Sequence, residues 1–203
     1  MTRKFDAAVV GATGAVGEVM LQILAERNFP VNEVFALASE RSAGKRVSFG
    51  NKPLTVQDLN TFDFSRVQIG LFSAGASVSE KYAPLAAQAG CVVIDNTSHF
   101  RYEDDIPLVV PEVNGERVAD HRNRNIIANP NCSTIQMVVV LKPLHDVARI
   151  KRVVVSTYQA VSGTGRAAIQ ELEAQVRAYV AGEEMAAETY PHRIAFNCLP
   201  HIG

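Results

Sequence analysis

The chain has 203 residues, 47% hydrophobic and 20% charged, with a formal net charge of −1. This near-neutral balance, without a basic run, argues against nucleic acid as the main partner, and no apolar stretch approaches the ~20 residues of a membrane span. Three cysteines, odd in number and widely spaced, do not make a disulfide framework; with no signal-peptide h-region at the N-terminus, the expected compartment is the cytoplasm.

The first apolar run, residues 7–10, ends in Gly-Ala-Thr-Gly-Ala-Val-Gly at 11–17. An amphipathic helix follows, with Val16, Met20, Ile23 and Leu24 at helical spacing up to about Arg27. Strand, glycine turn and helix is the context of a dinucleotide fingerprint, in which glycines let the backbone approach a pyrophosphate on the positive helix end. Gly11, Thr13, Gly14, Ala15 and Val16 are the candidate cofactor residues. The spacing is G-x-x-G-x-x-G, and a turn that only packs helix on strand is the competing reading.

A second strand at 34–37 leads into a polar tip, residues 38–45. Ser39, Arg41 and Ser42 can together hold the 2′-phosphate of NADP. Glu40 can instead serve the ribose of NAD, and a solvated tip would look the same; the cationic and hydroxyl donors favour NADP. A third strand at 68–72 ends in Ser73-Ala74-Gly75, small residues that suit close approach to a cofactor, and a helix starts near Ser77 or Ser79 with Tyr82, Leu85, Ala86 and Ala89 on one face. The next strand, 91–94, begins with Cys91, read as core, and is followed by a polar loop carrying Ser98 and Arg101. Arg101 is a candidate anion clamp, since a guanidinium matches phosphate in a bidentate manner. Two short strand-like pieces, 108–114 and 125–128, lead to Asn-Pro-Asn-Cys-Ser-Thr at 129–134.

This stretch delivers Cys132 to the mouth of a helix expected over 133–144. Thiolates at helix N-termini are stabilised by unpaired N–H groups and the macrodipole. A cysteine so placed can have its pKa lowered from ~8.5 and become a nucleophile; an apolar plug is the alternative. Beyond it, 149–159 reads as a long β-branched strand ending at Gln159, whose amide can position a substrate. A second glycine turn with Ser162 and Gly163 precedes a helix over 166–180, and 193–198 reads as a strand in which Cys198 is structural. The fold class is α/β: a doubly wound Rossmann-type NADP-binding domain over 1–130, then the start of an α+β catalytic and dimerisation domain over 131–203. No metal site is expected.

Taken in order, the boxes at 11–17, 38–45, 73–75, 95–101, 110–114, 129–134 and 159–165 resemble aspartate-semialdehyde dehydrogenase over essentially the whole chain. A relative, N-acetyl-gamma-glutamyl-phosphate reductase, usually carries a different cysteine box and is the alternative; a non-catalytic NADP-binding fragment is a third reading. The resemblance implies reduction of L-aspartyl 4-phosphate to the semialdehyde with NADPH, feeding lysine (through diaminopimelate), methionine and threonine biosynthesis, in a homodimer or homotetramer. It gives Cys132 the role of forming an acyl thioester, Gln159 that of orienting substrate, and Arg101, with Ser98 and Asn131, that of holding the phosphate group. It sets Ser162 and Gly163 against the nicotinamide end. The family runs on well past Gly203, and that further part carries the general acid–base histidine. His99, His121, His145, His192 and His201 are therefore read as surface or packing residues. Without general acid–base assistance worth roughly 10²–10⁴-fold, the chain alone is expected to be inactive.

Overall fold

The computed structural model describes residues 3–200, and chain contacts divide it into two compact units that meet between Val155 and Ser156. The first unit is built on a parallel sheet. Its elements are β1 (Phe5–Val10), α1 (Ala15–Glu26), β2 (Val31–Ala38), β3 (Arg46–Phe49), β4 (Lys52–Thr55), β5 (Gln57–Asp58), β6 (Ile69–Phe72), α2 (Ala76–Gln88), β7 (Val92–Asp95), α3 (Pro111–Asn114), β8 (Ile126–Ala128) and α4 (Cys132–Val147). Six strands lie in the order β5-β2-β1-β6-β7-β8, every pair parallel, while β3 and β4 form a separate antiparallel hairpin. The chain steps from β1 outward to β2, then returns across β1 to β6. That reversal is the switch point at which open α/β sheets bind ligands.

The strands are short apolar runs because both faces are covered. Alternate residues of β1 serve opposite layers. Ala8 and Val10 join Phe72, Val93 and the α2 residues Ala83, Ala86 and Ala87; Val9 joins Leu21 of α1 and Ala36 of β2. Small residues face the sheet on α2, and a glycine and a leucine on α1. On α2 the buried set is Ser79, Ala83, Ala86 and Ala87, and Leu85 of the expected face is half exposed. On α1, Gly17 and Leu21 are buried whereas Val16 and Ile23 are largely exposed. On α2 the close helix–sheet approach selects small side chains and turns Leu85 outward, whereas α1 buries Leu21 beside its glycine.

Three strand expectations are corrected. Residues 149–159 form no strand, and Val154 and Tyr158 are 79% and 86% exposed. The β-branched run has strand composition, but among the described residues no strand pairs with it in a ladder. Between 108 and 114 only Leu108 bridges to Ala128, and Pro111–Asn114 is a helical turn with proline at its first position, where the missing N–H costs nothing. Residues 193–198 form a turn with Phe196 at φ 55°. Cys198 there is exposed, not structural, whereas Cys91 is buried as expected.

The second unit centres on α5 (Arg166–Ala181), preceded by a 3-10 turn (Val161–Thr164). Two buried polar side chains one turn apart hold an irregular segment against it. Glu171 accepts from the backbone N–H groups of Glu188, Thr189 and Tyr190; Gln175 Oε1 accepts from those of Ile194 and Ala195. A segment without a ladder of its own thus has its amides satisfied by side chains. His201 lies outside the described residues.

Candidate active site

The C-terminal ends of β1, β2, β6, β7 and β8 share one edge of the sheet, as they must in parallel pairing. At the switch point, Gly11 has φ +90°, and a Cβ there would stand 2.9 Å from the Ala74 nitrogen. The first glycine turn and the Ser73-Ala74-Gly75 turn are therefore in backbone contact. At Gly17 an added Cβ would meet the Gly11 carbonyl oxygen at 2.1 Å, so this glycine packs α1 onto the turn. Gly14 and Gly75, the residues before α1 and α2, supply no side-chain cap. Both helix ends thus present uncapped N–H groups towards the edge, and at Gly75 a Cβ would meet nothing within 4 Å. This bare, glycine-lined cradle fits the pyrophosphate of a dinucleotide.

After β2, Ser39 precedes a 3-10 turn (Glu40–Ser42). Ser39 and Arg41 are exposed and Ser42 is half-buried, so the tip places a guanidinium and two hydroxyls beyond the second strand. Glu40 is exposed beside them.

The loop after β7 and the turn after β8 are tied together by one side chain. Arg101 donates its Nε–H to the carbonyl of Asn129 at 2.9 Å and an Nη2–H to that of Asn96 at 3.2 Å. Two of the five guanidinium N–H donors are thereby fixed, and the fork is held in one orientation. Asn129 in turn donates its backbone N–H to the carbonyl of Asp95 at 2.8 Å. Ser98 lies exposed on the same loop, and its carbonyl accepts from the Arg101 backbone N–H.

Two residues beyond Asn129, Asn131 caps α4: its Oδ1 accepts from the Ser133 N–H at 3.0 Å. Cys132 is itself the first residue of the helix, one position earlier than the periodicity suggests, and is exposed. Its Sγ lies 4.0 Å from Asn131 Oδ1. The Asn-Pro-Asn box thus supplies an Arg101 anchor, a rigid turn and a helix cap in succession, setting the thiol against the positive end of a 16-residue helix. Cys91, by contrast, is pushed up to about 12 by burial and is inert as a nucleophile.

In the second unit, Gln159 stands over the 3-10 turn, its Nε2 at 4.0 Å from the place of a Cβ on Gly163. Ser162 and Gly163 are exposed there, and Gly165 N–H closes the turn onto the Ser162 carbonyl. Missing from the sequence reading is Asp95, fully buried at the end of β7, with its partners Ser79 and Thr97. The available signal was an aspartate closing the apolar run Val-Val-Ile of β7.

Comparison with known proteins bears on this geometry. Residues 6–121 match the family "Semialdehyde dehydrogenase, NAD binding domain", and residues 141–203 match "Semialdehyde dehydrogenase, dimerisation domain". Aspartate-semialdehyde dehydrogenase 2 of Vibrio cholerae serotype O1 is 59% identical over 202 residues, covering 100% of this chain and 60% of the relative. A crystal structure of the Vibrio cholerae enzyme II complexed with ASA superposes with a TM-score of 0.96 at 58% identity, over 99% of this chain and 60% of that one. The Candida albicans enzyme with NADP shares 28% identity at a TM-score of 0.57, over 73% of this chain and 48% of that one. The chain spans about 60% of the length of the curated relatives it matches. It belongs to the semialdehyde dehydrogenase family, and its high-identity relatives are aspartate-semialdehyde dehydrogenases.

Proposed function

We propose that this chain is the cofactor-binding and nucleophile-bearing portion of an NADP-dependent aspartate-semialdehyde dehydrogenase, which converts L-aspartyl 4-phosphate to L-aspartate 4-semialdehyde with release of phosphate. The observation that carries the proposal is the shared turn. Arg101 is anchored to Asn129, and Cys132 opens α4 three residues on. A cation and a thiol held by one rigid segment suit an acyl phosphate, which needs a nucleophile at carbon and a clamp on the leaving group.

Cys132 attacks the acyl carbon. A carbon–sulfur bond forms, the carbon–oxygen bond to phosphate breaks, and phosphate departs with that electron pair. Arg101 offers its remaining N–H donors to the phosphate, with Ser98 and Asn131 beside it, and Gln159 orients the acyl chain. Gly11, Thr13, Gly14, Ala15, Val16 and the Ser73-Ala74-Gly75 turn cradle the pyrophosphate, while Ser162 and Gly163 border the nicotinamide. NADPH, when bound, supplies the hydride that releases the acyl group as the aldehyde. Ser39, Arg41 and Ser42 select NADP through its 2′-phosphate, in keeping with the NADP-bound Candida albicans relative.

The cofactor domain is read as 1–130 and the opening of the catalytic and dimerisation domain as 131–203. The setting is cytoplasmic lysine, methionine and threonine biosynthesis, in a homodimer or homotetramer; among the described residues no helix is long and apolar enough to cross a membrane. The N-acetyl-gamma-glutamyl-phosphate reductase reading is not favoured by the relatives named above. Titrating the chain with NADPH while assaying phosphate-dependent NADP reduction by the semialdehyde tests the proposal. Binding with little turnover is expected of this chain alone. Absence of binding would overturn the cofactor assignment.

A further inference from the structure

A buried carboxylate links the cofactor side of the site to its anion side. Asp95 is fully buried at the end of β7, and no cation pairs with it among the described ion pairs. Burying a charge in this way is costly unless hydrogen bonds replace its hydration. Three donors do so. Asp95 Oδ1 accepts from Ser79 Oγ at 2.7 Å and from the Thr97 N–H at 3.1 Å, and Oδ2 accepts from Thr97 Oγ1 at 2.8 Å. Ser79 is fully buried in the first turns of α2, the helix that begins directly after the Ser73-Ala74-Gly75 turn. Thr97 opens the loop that carries Ser98 and Arg101, and its hydroxyl also accepts from the His99 N–H at 3.3 Å.

We infer that Asp95 is a positioning residue, and that the Ser79–Asp95–Thr97 chain fixes the Arg101 fork relative to the cofactor turn. The inference rests on the Arg101 anion-clamp reading given above. A loop of polar residues has no ladder to define it, and two carbonyl bonds orient Arg101 only if the Asn96 carbonyl is itself fixed. The Thr97–Asp95 bonds fix it. Displacing a clamp by about 1 Å is enough to weaken its grip substantially.

The test uses inorganic phosphate as probe and the alkylation of Cys132 by iodoacetamide as readout, resolved by peptide mass spectrometry at constant ionic strength. In the unsubstituted chain, phosphate is expected to slow Cys132 alkylation. Asp95→Asn and Thr97→Val should raise the half-protecting phosphate concentration by about ten-fold and Ser79→Ala by about three-fold, the scale of losing hydrogen bonds to a charged group. The rate without phosphate should change less than about two-fold, because these residues do not touch the thiol, and Thr97→Ser should restore protection. Should Asp95→Asn fail to unfold cooperatively, the Thr97→Val and Thr97→Ser pair decides. Protection equal in all folded variants would overturn the positioning role while leaving the clamp intact. No protection in the unsubstituted chain would overturn the clamp and the positioning role together.

Discussion

Arg101 and Asn129, 28 residues apart, are joined by an Nε–H···O bond of 2.9 Å that sets the loop after β7 against the turn leading to the helix of Cys132. The bond is directional, so charge alone cannot replace it. Arg101→Lys is expected to lower stability by about 1 kcal/mol, because the part-buried carbonyls of Asn96 and Asn129 lose the oriented donors of the guanidinium. The urea midpoint measures this, and an unchanged midpoint would show that the tie carries no strain-free energy of its own.

The glycine cradle yields two contrasting substitutions. Gly17→Ala forces a methyl group onto the Gly11 carbonyl at 2.1 Å, contact that backbone cannot relieve cheaply. It should cost at least the roughly 1–3 kcal/mol of overpacking and abolish NADPH binding. Gly75→Ala meets open space, and its penalty comes only from the backbone at φ +101° and ψ 158°, about 1–3 kcal/mol. Urea denaturation and NADPH titration of both variants separate packing from conformation.

Arg41 lies exposed on the tip after β2, so its removal should leave the fold unchanged. Arg41→Ala is expected to weaken NADPH binding by about ten-fold and NADH binding hardly at all, the loss of a charge-assisted contact to one phosphate. Equal losses for both nucleotides would place Arg41 on adenine or pyrophosphate instead.

The second unit carries a pH dependence. Burial raises the Glu171 carboxyl, but the backbone N–H groups of Thr189, Glu188 and Tyr190, with the Thr189 hydroxyl, outweigh it and hold the group below its ordinary value. A depressed folded value means that its contribution is complete above the ordinary glutamate pKa of ~4.3 and is lost as pH falls through the lower folded value. Amide protection over 186–195, measured relative to intrinsic exchange, should therefore fall as pH drops below the ordinary glutamate pKa of ~4.3. Glu171→Gln should bring fast exchange already at neutral pH and flatten that dependence.

The strand–turn–helix units of the first domain were legible because each signal is local: an apolar run, a glycine turn, then a helical period. The glycine box, the Asn-Pro-Asn-Cys turn and Arg101 follow from residue type and order. What the sequence hid depends on neighbours. The run at 149–159 has strand composition but pairs with no strand among the described residues, and periodicity says nothing of pairing. On α2, Leu85 fits the apolar face as well as Ala83 does, and only the closeness of the sheet chooses the smaller residue. Thr97 stands only two residues beyond Asp95, but Ser79 lies on α2, 16 residues back in the chain, and meets Asp95 only in the folded sheet.

Acylation of Cys132 can be read by treating the chain with L-aspartyl 4-phosphate and locating the adduct by peptide mass spectrometry. One aspartyl thioester on the Cys132 peptide is expected, with one phosphate released per chain. Buried Cys91 should stay unlabelled and Cys132→Ser should abolish both events. Phosphate release without a Cys132 adduct, or an adduct on exposed Cys198 that survives Cys132→Ser, would contradict the account.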